Sequence, residues 1–346
     1  MSKQQETFVF IGDTEVGSVL SDRLALAGYA AAFDLDQADI VFTYSPVVSK
    51  LEDLYFETNG IMEKSKSGAI FVDLSPATPA FARELYALAR VNERFALDAP
   101  LVVHDMVDEE AFSRPENLTC LVGGDEDDFK RVEALLNTLA QNVVFLGGAG
   151  AGQSAKTAAT LQTAASLIAA VEARTALSLS ETPVNEKDVF DLLTKTGLVA
   201  PSLARVVEAM QHESFKGSFT VGLLLGEVAA ALEAVDDHDL ILPQAEAGFR
   251  LIELLAFVGG VDYNPAAMTL AFTDDETCKR FNLDWNRAEG LYEHDHDHDH
   301  DHDHEHDHSH GHSHDHASDF DDDYNYDDGY ESYEDYDFDD DRDRDY

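Results

Sequence analysis

Cysteine is nearly absent: Cys120 and Cys278 are the two in 346 residues. That rules out a disulfide framework and any paired-cysteine metal motif. Basic residues are also scarce, 23 Lys and Arg against 69 Asp and Glu, for a formal charge of −46. Nothing of that balance would neutralise phosphates, so nucleic acid is excluded as a partner. Long apolar runs are missing too, so the sequence predicts no membrane span. The opening MSKQQETFVFIGDT holds too short an apolar run for a signal peptide and leads straight into a folded element. The expected location is a reducing cytoplasm.

Aliphatic side chains all but vanish after residue 292. Residues 293–346 hold 24 acidic residues, 12 histidines and two arginines, a charge of −22 that leaves −24 for residues 1–292. Such a segment cannot bury enough apolar surface to offset its ordering entropy, and disorder is expected from about residue 287. Along it, His294, His296, His298, His300, His302, His304, His306 and His308 alternate with Asp or Glu, and His310, His312, His314 and His316 continue the series. Neutral imidazole with carboxylate nearby suits a divalent transition metal such as zinc, nickel, cobalt or copper, held at several loose sites. An acidic, aromatic-dotted terminus follows. His104, His212 and His238 are isolated and read as structural or surface residues.

What is present before the tail is a succession of short apolar runs alternating with helical periodicity. TFVFI at 7–11 ends at Gly12, and Val16, Leu20 and Leu24 then recur at helical spacing before Gly28. A weak strand is expected at Tyr29–Leu35 and stronger ones at Ile40–Tyr44 and 68–75, with a helical stretch Val48–Lys66 between the last two. Runs at 95–100, 118–124 and 143–148 frame a helical pattern Glu126–Ala140. This alternation predicts an α/β domain over residues 1–152, an abbreviated Rossmann-like, largely parallel sheet. From Gln153 to Ser180 the composition turns to Ala, Leu, Ile and Val, predicting one long helix. Asn185 caps a further helix, and blocks at Ser202–Gln211, Phe219–Val235 and Pro243–Phe257 complete an all-helical domain over 153–286.

The first strand–helix turn reads Gly12-Asp13-Thr14-Glu15-Val16-Gly17. Two of the three glycines of a dinucleotide-binding turn stand, but the middle one is Thr14, and Glu15 adds negative charge where a pyrophosphate would lie. Asp34 and Asp36 are in range of an adenosine ribose. The chain then passes almost directly into the next strand, with no room for a second complete helix–strand unit.

Several strings in order resemble the β-hydroxyacid dehydrogenases, relatives of 6-phosphogluconate dehydrogenase. They are FIGDTEVGSVLSDRLALAGY, ADIVFTYSP, NGIMEKSKSGAIFVDLSPATP, LDAP and LTCLVGG through GAGAGQSAKTAATL. The likeness spans residues 7 to about 272, and Gly150, Gly152 and Lys156 match the family's GxGxxxK motif. The resemblance implies hydride transfer between a nicotinamide of NAD or NADP and a hydroxyacid carbon, with Lys156 as general acid/base and Ser75 near the substrate. It also implies a cofactor contacting Gly12, Asp13, Thr14, Glu15, Val16, Gly17, Ser45 and Pro46, with the nicotinamide near the Tyr44–Pro46 loop. A small-molecule substrate in an interdomain cleft and a homo-oligomer follow from the same resemblance.

The departures cluster at the site. Ala159 and Thr160 stand where the family carries asparagine, and Asp98-Ala99-Pro100-Leu101-Val102-Val103-His104 replaces a glycine-rich anion loop. Pro76 stands for a threonine, and Gly226-Glu227 aligns with a Lys-Asp pair. Two readings stay open: a dehydrogenase for a less anionic substrate, or a catalytically inactive scaffold serving a metal-binding accessory or storage role through the tail.

Overall fold

The computed structural model describes residues 6–182, 184–236 and 240–288. Strand β1 (Thr7–Gly12) leads into α1 (Thr14–Leu26), then β2 (Ala30–Ala31), β3 (Ile40–Tyr44), α2 (Val48–Phe56) and α3 (Ile61–Lys64). Next come β4 (Ile70–Asp73), α4 (Pro79–Val91), β5 (Phe95–Asp98), β6 (Leu101–Val103), β7 (Leu118–Gly123), α5 (Glu126–Leu139) and β8 (Asn142–Gly147). The helical part holds α6 (Ala151–Ser178), α7 (Glu186–Lys195), α8 (Pro201–Gln211), α9 (Val221–Asp236), α10 (Pro243–Leu255) and α11 (Asp275–Arg280).

The sheet runs β2-β1-β3-β4-β5-β7-β6, with β8 paired to β7. Strands β1, β3, β4 and β5 are parallel, and their register sets Gly12 beside Tyr44, Thr43 beside Asp73, and Asp73 beside Asp98. One edge of the sheet therefore gathers the ends of four strands, where parallel α/β sheets place their ligands. β7 runs antiparallel to β5 and β6, so the sheet is mixed.

Alternation along the central strands fills both faces. Phe8, Ile40, Phe42, Ile70 and Val72 face α1 and α5, while Val41 and Phe71 pack on Leu51, Tyr55, Phe81 and Leu85 of α2 and α4. Each such side chain contributes roughly 1.5–3 kcal/mol by burial. Local signals start the helices: Thr78 accepts from the Phe81 N–H with Pro79 in the first turn of α4, and Asp125 and Asn185 cap α5 and α7. Helix α6 follows the expected long helix closely. Its inner face (Ala164, Leu167, Ile168, Val171) shares a core with Leu224 and Val228 of α9 and Ile252 and Leu255 of α10.

Three expectations are corrected. The strand at Tyr29–Leu35 shrinks to Ala30–Ala31, because no second strand follows to pair with it. The stretch Val48–Lys66 is two helices, parted at Asn59, whose φ of 67° breaks the helical path. Leu101–Val103 is strand β6, although the sequence reading treats it as an altered loop. The chain from Met106 to Phe112 also ties the helical part to the sheet: the Ala111 N–H donates to Ser218 Oγ at 2.8 Å, and Phe112 packs on Phe219. Among the described residues, no helix is long and apolar enough to cross a membrane.

Candidate functional site

Two helix starts define the site. At α1 the Asp13 N–H donates to the Tyr44 carbonyl at 2.8 Å, which fixes the turn after Gly12. The Asp13 carboxylate then accepts from the N–H groups of Glu15 (2.9 Å) and Val16 (3.0 Å). Those donors, with the positive end of the helix dipole, are what would face an anion. Gly17 is buried under Phe10, and Glu15 is exposed.

At α6 the cap comes from far along the chain. The Asp98 carboxylate, at the end of β5, accepts from the Gly150 N–H at 2.8 Å and the Gln153 N–H at 3.0 Å. A Cβ on Gly152 would sit 2.3 Å from the Leu121 carbonyl oxygen and 2.9 Å from the Asp98 carboxylate. The glycines of GxGxxxK therefore make a joint between sheet and helix. Burial pushes the Asp98 carboxyl above its ordinary range, opposed by these backbone donors.

Gln153 extends the joint, donating to the Ser75 carbonyl at 2.9 Å and accepting from the Ala77 N–H at 3.1 Å. The Ser75 hydroxyl is buried. It donates to Asp73 Oδ1 at 2.6 Å and accepts from the Ser45 N–H at 2.9 Å, tying β4 to the loop after β3. With its donor already engaged, Ser75 acts in this geometry as a clamp. Asp73 also accepts from Thr43 Oγ1 at 2.9 Å, and burial raises its carboxyl to about 7 against the lowering effect of these hydrogen bonds.

Lys156, one and a half turns into α6, is 5% exposed, and its Nζ lies 2.6 Å from Glu227 Oε1 on α9. Thr160 Oγ1 lies 3.5 Å from the other Glu227 oxygen. Sequence comparison marks position 227 only as part of a lost pair; the partnership with Lys156 needs the fold, because 71 residues separate the two. Next to Glu227, Gly226 is pressed on the loop after β3: a Cβ there would lie 2.1 Å from the Pro46 carbonyl oxygen. A side chain at 226 cannot coexist with this packing. Tyr44, at the end of β3, is buried. Its hydroxyl is pushed well above its ordinary range by burial first, then by Glu227 and Asp13.

A crevice of 460 Å³ opens over the ends of β1 and β3, lined by Gly12, Asp13, Ser45, Pro46, Val47, Lys50, Asp53, Leu54 and Glu57. A second cavity of 330 Å³ continues on the far side of Gly12 and Asp13, along β1 and Gly17, Ser18, Ser21, Ala31 and Ala32. The expected cofactor residues Gly12, Asp13, Gly17, Ser45 and Pro46 are thus divided over two neighbouring cavities that share Gly12 and Asp13. Val16 is buried in the core, Glu15 points to solvent, and Thr14 opens α1. The expected metal-ligating histidines, His294 to His316, lie outside the described residues.

The crevice lies at the switch point of a Rossmann-like sheet, the place where such sheets bind dinucleotides. Residues 8–148 match the family model described as the NAD binding domain of 6-phosphogluconate dehydrogenase. Over 223 residues the chain is 26% identical to the uncharacterized oxidoreductase YkwC of Bacillus subtilis, covering 64% of this chain and 75% of that one. Over 267 residues it is 28% identical to 2-hydroxy-3-oxopropionate reductase of Escherichia coli, covering 75% and 87%. A solved structure of Mycobacterium tuberculosis 3-hydroxyisobutyrate dehydrogenase with L-serine superposes at a TM-score of 0.65 and 22% identity. That match covers 78% of this chain and 100% of the other, a likeness of fold. The chain is thus similar to oxidoreductases of this kind, and its residues 8–148 carry an NAD binding domain like that of 6-phosphogluconate dehydrogenase.

Proposed function

We propose that the chain is an NAD(P)-dependent oxidoreductase of β-hydroxyacid dehydrogenase type, interconverting a small hydroxyacid or related alcohol with its carbonyl compound. The observation that carries this is Lys156, buried at the start of α6 and held at 2.6 Å by Glu227. Pro46 lines the crevice and lies against Gly226, the chain neighbour of Glu227.

The residues fit a dinucleotide in place and size. Ser45, Pro46 and Val47 would hold its nicotinamide half, and the 330 Å³ cavity beside β1 its adenosine half. Lys50 is the cation lining the crevice and would face the phosphates. Asp13 competes with them for the Glu15 and Val16 N–H groups and must release those donors for the phosphates to use them. When bound, the nicotinamide supplies the two-electron chemistry, accepting hydride from the carbinol carbon or returning it to the carbonyl.

Lys156 handles the proton. In the reductive direction the Nζ ammonium gives a proton to the carbonyl oxygen; in the oxidative direction Nζ first passes a proton to the Glu227 carboxylate and, as a neutral amine, then takes the proton of the alcohol O–H. Glu227 fixes the amine in place, and the Asp98 joint fixes the helix that carries it. A Lys156→Ala variant should bind NADH with unchanged affinity and lose at least about a hundredfold in turnover. Undiminished turnover in that variant would remove Lys156 from the chemistry.

The tail supports a second, compatible activity. Twelve histidines at alternating positions among carboxylates, His294 to His316, favour loose binding of divalent transition metals, whatever the body does. Calorimetric titration of the full chain with zinc and nickel salts, against a chain ending at residue 292, tests it. Equal heats from the two chains would remove the tail from metal binding.

A further inference from the structure

We infer that the substrate carries no carboxylate: the site is built for an apolar, uncharged alcohol or carbonyl compound. The inference rests on the oxidoreductase reading and narrows it.

Three independent features exclude an anion. First, the buried cation of the site already has a counter-charge, because Lys156 Nζ sits 2.6 Å from Glu227 Oε1 and both residues are under 10% exposed. A substrate carboxylate would have to displace Glu227 and strand its charge in a buried position, at a heavy cost. Second, the segment after Pro100 offers no free loop of backbone donors. Leu101–Val103 is paired as strand β6 with Leu118–Cys120, and the His104 N–H donates to the Asn117 carbonyl at 2.9 Å. Third, Gly226 lies against the Pro46 carbonyl, so that position of α9 cannot carry a cationic side chain.

The geometry also shows where such a substrate would sit. A cavity of 440 Å³ lies between the loop after β3 and α9, on the other side of Pro46 and Val47 from the crevice. Its walls include Val48, Leu225, Ala229 and Phe249, and its charged lining residues are Glu52 and Glu233, with no lysine or arginine. Apolar walls with no lysine or arginine among them favour an uncharged ligand over a carboxylate. The cavity shares Pro46 and Val47 with the crevice, and its wall includes Gly226, the chain neighbour of Glu227.

The test uses the full chain and matched pairs, a hydroxyacid and its methyl ester, with the matching aldehyde acid and its ester in the reductive direction. NADH and NADPH binding is measured first by fluorescence, and calorimetry of the cofactor-loaded protein gives substrate affinity apart from turnover. The expected result is at least about a tenfold preference for the ester in both binding and kcat/KM, the size of one lost charged contact. Leu225→Arg, which adds a cation to the cavity wall, should reverse the preference. Glu227→Gln should raise affinity for the acid, and agreement between the two variants guards against one of them misfolding. Tighter binding of the acid by the wild type, or no binding of either compound to the cofactor-loaded protein, would overturn the inference. Failure to bind either cofactor would instead overturn the oxidoreductase reading itself.

Discussion

The starts of α1 and α6 look alike in sequence and behave as opposites. Both follow a strand, both carry two glycines, and both have their first N–H groups held by an aspartate carboxylate. At α1 the aspartate is Asp13, adjacent to the helix, half-buried and facing a crevice. At α6 it is Asp98, from another strand, 5% exposed and enclosed by the backbone it caps. A local cap can swing aside for a ligand; a remote, buried one is part of the fold. The string GAGAGQSAK is therefore first a structural joint, and the proposed chemistry rests on the lysine at its end.

The largest effect expected from breaking this contrast is at Gly152. Gly152→Ala should cost about 3 kcal/mol or more, because its Cβ meets backbone and a buried carboxylate with no room to give. The third glycine of the first motif is the opposite case. A Cβ on Gly17 would meet nothing closer than Phe10 at 3.8 Å, so Gly17→Ala should be neutral or stabilise by up to about 1 kcal/mol. Urea denaturation of both variants compares them directly, and equal costs would refute the contrast.

Asp73 lies between the two helix starts and sets a pH dependence. Its carboxyl is raised from 3.8 to about 7 by burial, so the folded state holds this proton over a range where the unfolded chain has released it. Stability from this group is therefore full below about pH 4, falls as pH rises toward about 7, and changes no further above that. The total is on the order of a few kcal/mol. Asp73→Asn keeps an acceptor oxygen for Thr43 and Ser75 and should flatten that slope. An unchanged slope between about pH 4.5 and 7.5 would assign it to other groups.

The smallest predicted effect is at Asp13. Asp13→Ser preserves a capping oxygen while removing the charge, so stability should move by less than about 1 kcal/mol. NADH affinity should rise several-fold, as the phosphates no longer compete with a carboxylate. Loss of affinity in this variant would mean that Asp13 serves the ligand.

Much of the architecture was legible in the sequence because it rests on periodicity and local caps. Val16, Leu20 and Leu24 predict α1, Asn185 predicts α7, and the Ala-rich run from Gln153 predicts α6 within two residues at each end. Strand β6 was not legible: Leu101–Val103 follows β5 after two residues and is fixed by pairing with β7, a remote partner. The site divides the same way. Lys156 could be found from its motif, but its pairing with Glu227 and the contact of Gly226 on Pro46 depend on how α9 lies against the sheet, which no local pattern encodes. Ser75 illustrates the converse. Its position was legible, yet its engagement with Asp73 and Ser45 comes from the register of β3 and β4.

The most direct test of the account is calorimetric titration of the full chain with NADH and NADPH, beside Asp13→Ser. Saturable binding of one cofactor per chain, tighter in the variant, is the predicted result. A folded protein that gives no heat with either cofactor, in wild type and variant alike, would contradict it.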